Sequence, residues 1–324
     1  MSYNYDKEKR GYVAAGSLPW KVVKSREWLV DGKIIPLHLQ FIPTNRCNGN
    51  CPWCSCKEVD RKVELQWSEI QDIIEHFFNL GTKAVTITGG GEPTLHPQFE
   101  NMVRMFDDYG IDVGVVTNAI KWRKEDINKL LALSEYLMWV RISITDTISG
   151  GYDVDGLKNV VYGLDHSDVG FSFTVPENVS VETAVKICEL ANEHPNVTHI
   201  RFVSDILDPN DRAMVKVTGA CAGITDKAIF QSRSEFTKGK RHCFISLLKP
   251  IVDATGYVFP CCGVQYAVPS KLRHMPDMLR MCHWKDYGMK TLTFDGSVCQ
   301  KCYYTDYNDV LEQIISPIPH ENFV

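Results

Sequence analysis

Apolar, β-branched runs recur through the first two thirds of the chain, at 37–43, 84–88, 112–117, 138–145, 169–175 and 199–204. Between them the apolar positions change period. Ile70, Ile73, Ile74, Phe77 and Phe78 fall at i, i+3, i+4, i+7 and i+8, one stripe of a helix. Phe99, Met102, Val103 and Phe106 predict a second helix, and Ile127, Leu130 and Leu131 a third. Leu157, Val160, Val161 and Leu164 predict a fourth, and Val181, Ala184, Val185, Cys188 and Ala191 a fifth. Cys188 lies on that buried stripe and reads as packing. Ser68 with Gln71 predicts a capping box for the first helix, and Gly81 its stop. Strand-to-strand spacings of about 30 residues are those of βαβ units. Near-continuous apolar strands between helices predict a parallel sheet. Periodicity alone does not separate an open doubly wound sheet from a barrel.

The ends read differently. Residues 1–36 are a lead-in, with Asp31-Gly32 as a hairpin turn. Residues 37–206 form the βα domain. Residues 207–240 are polar, with Asp208-Pro209-Asn210-Asp211 as a turn cluster, and read as a linker. From 241 to 324 the chain becomes a second domain. A strand over 245–253, a turn at Ala254-Thr255-Gly256 and a strand over 257–260 predict a hairpin, followed by a Cys-rich tail.

The 324 residues carry a net charge of −5, against a broad electrostatic footprint for nucleic acid. The basic stretch 233–242 reads as a solvated loop, with a nucleic-acid contact as the alternative. No apolar run approaches the ~20 residues that cross a bilayer. Twelve cysteines in a chain with no visible signal peptide point to a reducing cytoplasm and to metal binding.

The most informative stretch follows the first strand. Cys47, Cys51 and Cys54 are spaced C-x3-C-x2-C. Three thiolates can hold three corners of a [4Fe–4S] cube and leave one iron open. Structural zinc sites favour paired C-x2-C knuckles, which this loop fits poorly. With Trp53 as its aromatic, the motif resembles that of the radical S-adenosylmethionine (SAM) superfamily. The resemblance implies a partial (β/α)6 barrel of TIM type, with function at the C-terminal ends of its strands. It further implies a reduced cluster that chelates SAM and cleaves it to a 5′-deoxyadenosyl radical. Cys47, Cys51 and Cys54 would be the cluster ligands, and a flavodoxin or ferredoxin-type donor would supply the electron.

The second strand ends in Thr88-Gly-Gly-Gly-Glu-Pro-Thr94. Glycines let backbone pass close to a ligand. Gly90, Gly91, Glu92 and Pro93 resemble the family's GGEP motif, which contacts the methionyl amino group of SAM. By the same resemblance Thr117, Asn118 and Ser143, at the ends of the third and fourth strands, contact the ribose and carboxylate of SAM. Val175 is a candidate for the adenine face, with core packing as the competing reading.

Cys243 is followed by twelve residues, Gly256, four residues and Cys261, and later by the knuckle Cys299-Gln-Lys-Cys302. This resembles the C-terminal extension of the SPASM/Twitch subgroup. No cysteine follows Cys302, so the shorter Twitch form, a hairpin plus helix, fits better than the full SPASM module. It implies an auxiliary [4Fe–4S] cluster on these four cysteines. A zinc site on the same four is the competing reading. Cys262 adjoins a ligand and is a candidate hydrogen-atom donor.

The reading is a radical SAM enzyme that removes a hydrogen atom from an unactivated carbon and oxidises the product through the auxiliary cluster. Residues 1–36 are too short for a peptide-recognition domain, which favours a small-molecule or nucleotide-like substrate. The alternatives are a radical epimerase using Cys262, a peptide-modifying maturase, a nucleic-acid modification enzyme, and an iron–sulfur electron carrier. Asp146 and the acidic residues at 205–211 are candidate bases.

Overall fold

Alternating period-2 and period-3.6 apolar patterns fold into alternating strands and helices. The computed structural model describes residues 20–24, 35–144, 154–205, 212–232, 237–268, 275–289 and 293–315. In chain order the elements are β1 (His38–Phe41), α1 (Trp67–Asn79), β2 (Ala84–Ile87), α2 (Phe99–Asp108), β3 (Asp112–Thr117), α3 (Ile127–Ser134), β4 (Trp139–Ser143), α4 (Val154–Gly163) and β5 (Asp168–Val175). They continue with α5 (Val181–Glu193), β6 (Val197–Ser204), α6 (Arg212–Cys221), β7 (Ala228–Gln231), α7 (Ile245–Leu248), β8 (Ile251–Val252), β9 (Tyr257–Phe259), β10 (Cys282–His283) and α8 (Thr305–Ile315).

One open sheet holds all ten strands, in the order β10-β9-β8-β1-β2-β3-β4-β5-β6-β7. From β8 through β1 to β7 every neighbouring pair is parallel, as in a partial barrel. β9 and β10 extend it antiparallel beyond β8. The C-terminal hairpin is therefore joined to the barrel edge through Gln40↔Ile251 and Phe41↔Val252.

Four expectations need correcting. Residues 212–231, expected within a linker, form α6 and a seventh parallel strand, β7. The α6 side chains Ala213, Met214, Val217 and Cys221 are buried, so this unit completes the sheet. Residues 245–248, expected as strand, are the helical turn α7. Ser246 Oγ donates to the Cys243 carbonyl there, and Lys249 N–H to the Ile245 carbonyl at 2.8 Å. Ser68 does not cap α1, which begins one residue earlier behind Gln66 without a side-chain cap. Val175 packs in the core with Phe171 and Phe173, on the same face of β5, and offers no adenine face. Gly81 does end α1: it has φ 92°, and Thr82 N–H reaches the Phe77 carbonyl at 3.0 Å in a Schellman closure. The Asp31-Gly32 turn, the 208–211 cluster and Asp146 lie outside the described residues.

The two faces of the sheet differ in chemistry. Leu39, Phe41, Val85, Ile87, Val140 and Ile142 are at most 1% exposed and pack against the helix stripes. Alternation turns the residues between them to the lumen, and these are polar or small, including Gln40, Thr86, Arg141 and Ser143. Gly114 makes room for an aromatic floor: a Cβ there would stand 2.1 Å from the Trp139 ring. Gly170 does the same for the His199 ring, at 2.3 Å.

His199 gives a stability prediction. Burial, then the nearby Arg141 and Arg201, push its imidazole from 6.5 down to about 3. The folded value lies below the unfolded one, so the contribution is complete above 6.5 and is lost as pH falls towards 3. We expect denaturant melts of His199→Gln to lose stability more slowly than the parent between about pH 6.5 and 5. The difference should approach ~1.4 kcal/mol per pH unit. Parallel slopes would contradict this.

Candidate active site and a second cysteine centre

β1 delivers the chain into a closed loop. Asn45 N–H donates to the Val63 carbonyl at 2.9 Å and Leu65 N–H to Pro43 at 3.0 Å, which zips the base of the loop. Cys47, Cys51 and Cys54 stand on it, half-buried, with Trp53 beside them. The Cys47 and Cys51 sulfurs lie on one side of Gly49, at 3.7 and 3.6 Å from where its Cβ would be. Gly49 N–H also points at Cys47 Sγ, 3.3 Å away.

The turn after β2 holds this loop in place. Gly91 N–H donates to the Thr44 carbonyl at 3.2 Å and Glu92 N–H to Arg46 at 2.7 Å. A Cβ on Gly91 would stand 2.1 Å from the Arg46 oxygen and 2.4 Å from Asn45 backbone carbon. Gly91 is thus required for backbone-to-backbone contact with the cysteine loop. Gly90 packs against the Asn45 side chain, and Pro93 opens the short helical turn Pro93–Leu95.

Glu92 is 3% exposed and ties three segments together. Its Oε1 accepts from Thr94 Oγ1 and Thr117 Oγ1, both at 2.7 Å, and from Thr94 N–H at 3.1 Å. Its Oε2 accepts from Asn118 N–H at 2.7 Å. Burial raises its carboxyl above the ordinary range, and these hydrogen bonds oppose the rise. Asn118 passes the connection on, since its Nδ2 donates to Asn48 Oδ1, inside the cysteine loop, at 2.8 Å. Glu92, Thr117 and Asn118, expected from the resemblance to contact SAM, are joined here as a bracket beneath the loop. Ser143 closes β4 opposite Ser172.

The second constellation also assembles. Cys261 ends the hairpin, whose turn Asp253 braces by accepting from Thr255 N–H and Tyr257 N–H, both at 3.0 Å. Cys243 N–H donates to Phe294 at 3.0 Å, Gly239 N–H to Cys299 at 2.8 Å and Cys302 N–H to Thr237 at 2.7 Å. Cys243, Cys261, Cys299 and Cys302 line one pocket. Backbone N–H groups of Gly263 and Tyr304 each lie 3.3 Å from a sulfur, of Cys261 and Cys302 respectively. Burial, with neighbouring thiols adding, pushes Cys243 up to about 11 and Cys299 up to about 12. Thiols gathered so that their anions repel suit a cationic group that takes them as thiolates. Among the described residues, no three His, Cys, Asp or Glu side chains converge as a single metal ion requires. Four cysteine thiols are a donor set that a [4Fe–4S] cube takes and that zinc also takes.

Two contacts join the cysteine loop to the C-terminal cysteine pocket. Ser55 Oγ, one residue past Cys54, donates to Gln265 Oε1 at 2.6 Å. Ile42, at the root of the cysteine loop, shares a small core with Phe259 and Val264, against which Cys299 packs. Cys262 is half-buried, with its sulfur 3.5 Å from the Tyr304 hydroxyl.

Residues 41–147 match the family model described as the Radical SAM superfamily. Over those residues the chain carries a radical SAM domain. A 7-carboxy-7-deazaguanine synthase from Haemophilus influenzae is 33% identical over 25% of this chain and 36% of its own length. The match thus spans about a third of that relative. A GTP 3′,8-cyclase from Helicobacter pylori is 22% identical over 86% of this chain and 84% of its own. Among solved structures, Streptococcus suis SuiB bound to the precursor peptide SuiA superposes with TM-score 0.55 and 14% identity. The superposition covers 81% of this chain and 67% of that one. That likeness shows the fold. The superfamily implies SAM and a [4Fe–4S] cluster, for which the loop provides three thiols.

No described helix is long and apolar enough to cross a membrane. The basic stretch 233–242 is described only from 237. There Lys240 pairs with Asp309, and the His242 ring stacks on Phe244 at 6.1 Å. Of the remaining cysteines, Cys56, Cys188 and Cys221 are buried, and Cys282 lies on β10. Sequence reasoning passed over Asn48, Arg141, Arg201 and Lys249. The signal for the two arginines was present: each breaks an apolar strand at a position whose parity faces the lumen.

Proposed function

We propose that Cys47, Cys51 and Cys54 hold a [4Fe–4S] cluster that, when bound, supplies the electron for reductive SAM cleavage to methionine and a 5′-deoxyadenosyl radical. The observation carrying this is the bracket from Glu92 through Thr117 and Asn118 to Asn48, which fixes a three-cysteine loop at the mouth of a polar lumen. Gly90, Gly91 and Pro93 shape the rim, and Ser143 and Trp53 stand beside the space for SAM. Cys243, Cys261, Cys299 and Cys302 would hold an auxiliary [4Fe–4S] cluster, which would supply the acceptor for the one electron released as the substrate radical loses a proton and becomes the oxidised product. A flavodoxin or ferredoxin-type protein delivers the first electron, in a reducing cytoplasm where the cysteines stay out of disulfides.

The substrate is a small molecule or nucleotide. Likeness over most of the chain to a relative named for GTP supports this. The test is 5′-deoxyadenosine formation by anaerobically reconstituted protein with SAM and a strong reductant, with and without small-molecule cell extract. Stimulation by that fraction is expected. Stimulation only by a protease-sensitive fraction would make the substrate a peptide.

One observation favours a second reading. Cys262 Sγ lies 3.5 Å from the Tyr304 hydroxyl, one residue past Cys261 at the end of the hairpin. If Cys262 returns a hydrogen atom, the product is an epimer carrying solvent deuterium. Cys262→Ser would then abolish turnover. Absence of deuterium would leave oxidation.

A further inference from the structure

Two arginines on separate strands face the lumen, and a lysine from a third segment lies near enough to both to feel their charge. Arg141 lies on β4 and Arg201 on β6, both at lumen-facing positions. The register Ser143↔Ser172↔Arg201 sets Arg201 one step beyond the Arg141↔Gly170↔His199 row. Lys249 enters from the far side, between α7 and β8, where the Pro250 carbonyl accepts from Gln40 N–H of β1 at 2.9 Å.

The groups are close enough to perturb one another. Burial, and then the Arg141 and Arg201 charges, act to hold the Lys249 ammonium below its ordinary value, while the Cys261 and Cys262 thiols oppose them. The half-buried His38 ring, on β1, is pushed well below its ordinary value by desolvation and then by the Lys249, Lys21 and Arg141 charges. Cationic groups gathered along one lumen give it a field that attracts an anion.

One of the three is visibly aimed. Arg201 Nε donates to Gln231 Oε1 at 2.7 Å, and Gln231 Nε2 donates to the Tyr303 hydroxyl at 2.6 Å. Tyr303 follows Cys302 directly. The arginine is thereby oriented from the second cysteine centre. Arg141 is steadied by the Trp139 ring, 5.6 Å from its guanidinium carbon.

We infer that Arg141, Arg201 and Lys249 form the binding site for a phosphate group of the substrate, inside the barrel lumen. A carboxylate is satisfied by one bidentate arginine. Three heads approaching from different segments suit the several oxygens of a phosphate or diphosphate. This rests on the preceding reading of a small-molecule or nucleotide substrate, and it selects the phosphorylated members of that class.

The test uses the anaerobically cluster-loaded protein in the presence of SAM. Binding of inorganic pyrophosphate and of glutarate, a dicarboxylate, is measured by calorimetry. Pyrophosphate is expected to bind at least about tenfold tighter than glutarate. Arg201→Gln and Lys249→Met should each weaken it by about tenfold or more, and Arg201→Lys by less. Without anion, Lys249→Met should melt at a higher temperature than the parent, because repulsion is relieved; a misfolded variant would melt lower. Arg201→Lys, which keeps the charge, covers the case in which Lys249→Met does not fold.

The inference is overturned if the parent does not bind pyrophosphate, if the variants bind it as the parent does, or if glutarate binds more tightly. It is also overturned if SAM affinity falls in parallel with pyrophosphate affinity, which would assign the cations to the SAM carboxylate. Failure of the underlying reading looks different: pyrophosphate binds as expected but no 5′-deoxyadenosine forms.

Discussion

Glu92→Ala is expected to lower both the iron retained by the Cys47–Cys51–Cys54 loop and the rate of reductive SAM cleavage, by ~10–100-fold in activity. The carboxylate takes hydrogen bonds from two backbone N–H groups and two threonine hydroxyls in a buried position. Without it Thr94 N–H and Asn118 N–H lose their acceptor, at ~1–3 kcal/mol for each group left unsatisfied. The two hydroxyls can turn elsewhere and cost less. Release of Asn118 also frees Asn48 and with it the cysteine loop. Glu92→Gln keeps the shape and one acceptor oxygen, so its loss should be smaller. The check is iron per chain together with 5′-deoxyadenosine rate for the three proteins. Full iron with weakened SAM binding in Glu92→Ala would instead make Glu92 a direct SAM contact.

Cys302→Ala is expected to cost the whole auxiliary cluster. Its sulfur is one of four around a single pocket, and its backbone anchors the segment at Thr237. A cube normally takes four cysteine ligands. Iron per chain should fall from ~8 to ~4, and substrate oxidation should stop. The Cys47–Cys51–Cys54 cluster draws on a different segment and should keep its spectroscopic signal. A variant that loses about one zinc and no iron would establish the zinc reading of these four cysteines.

The barrel was legible because its strands and helices alternate in both composition and period. All six expected strands form, within two residues of their expected bounds at either end. The two cysteine groups stood out in the sequence by their spacing, and the structure gathers the second of them around one pocket. What was hidden has physical causes. β7 has only four residues, all half-buried, and α6 carries a short apolar stripe, so neither rose above a polar background. Residues 245–248 form a short apolar run whose type periodicity cannot decide. The roles within GGGEP were hidden too. A glycine-rich turn does not say whether its open side meets a ligand or another backbone, and here Gly91 meets Arg46. The lumen cations sit far apart in sequence, and only the register of the sheet brings them together.

The most direct test of the central claim is a single anaerobic experiment. Reconstituted protein is reduced in the presence of SAM, and 5′-deoxyadenosine is measured against bound iron, beside a Cys51→Ala control. The arrangement of Cys47, Cys51 and Cys54 on the Glu92 bracket predicts iron-dependent formation of 5′-deoxyadenosine that the control abolishes. Iron-loaded protein that leaves SAM intact under reduction, or a loop that binds zinc in place of iron, would contradict it.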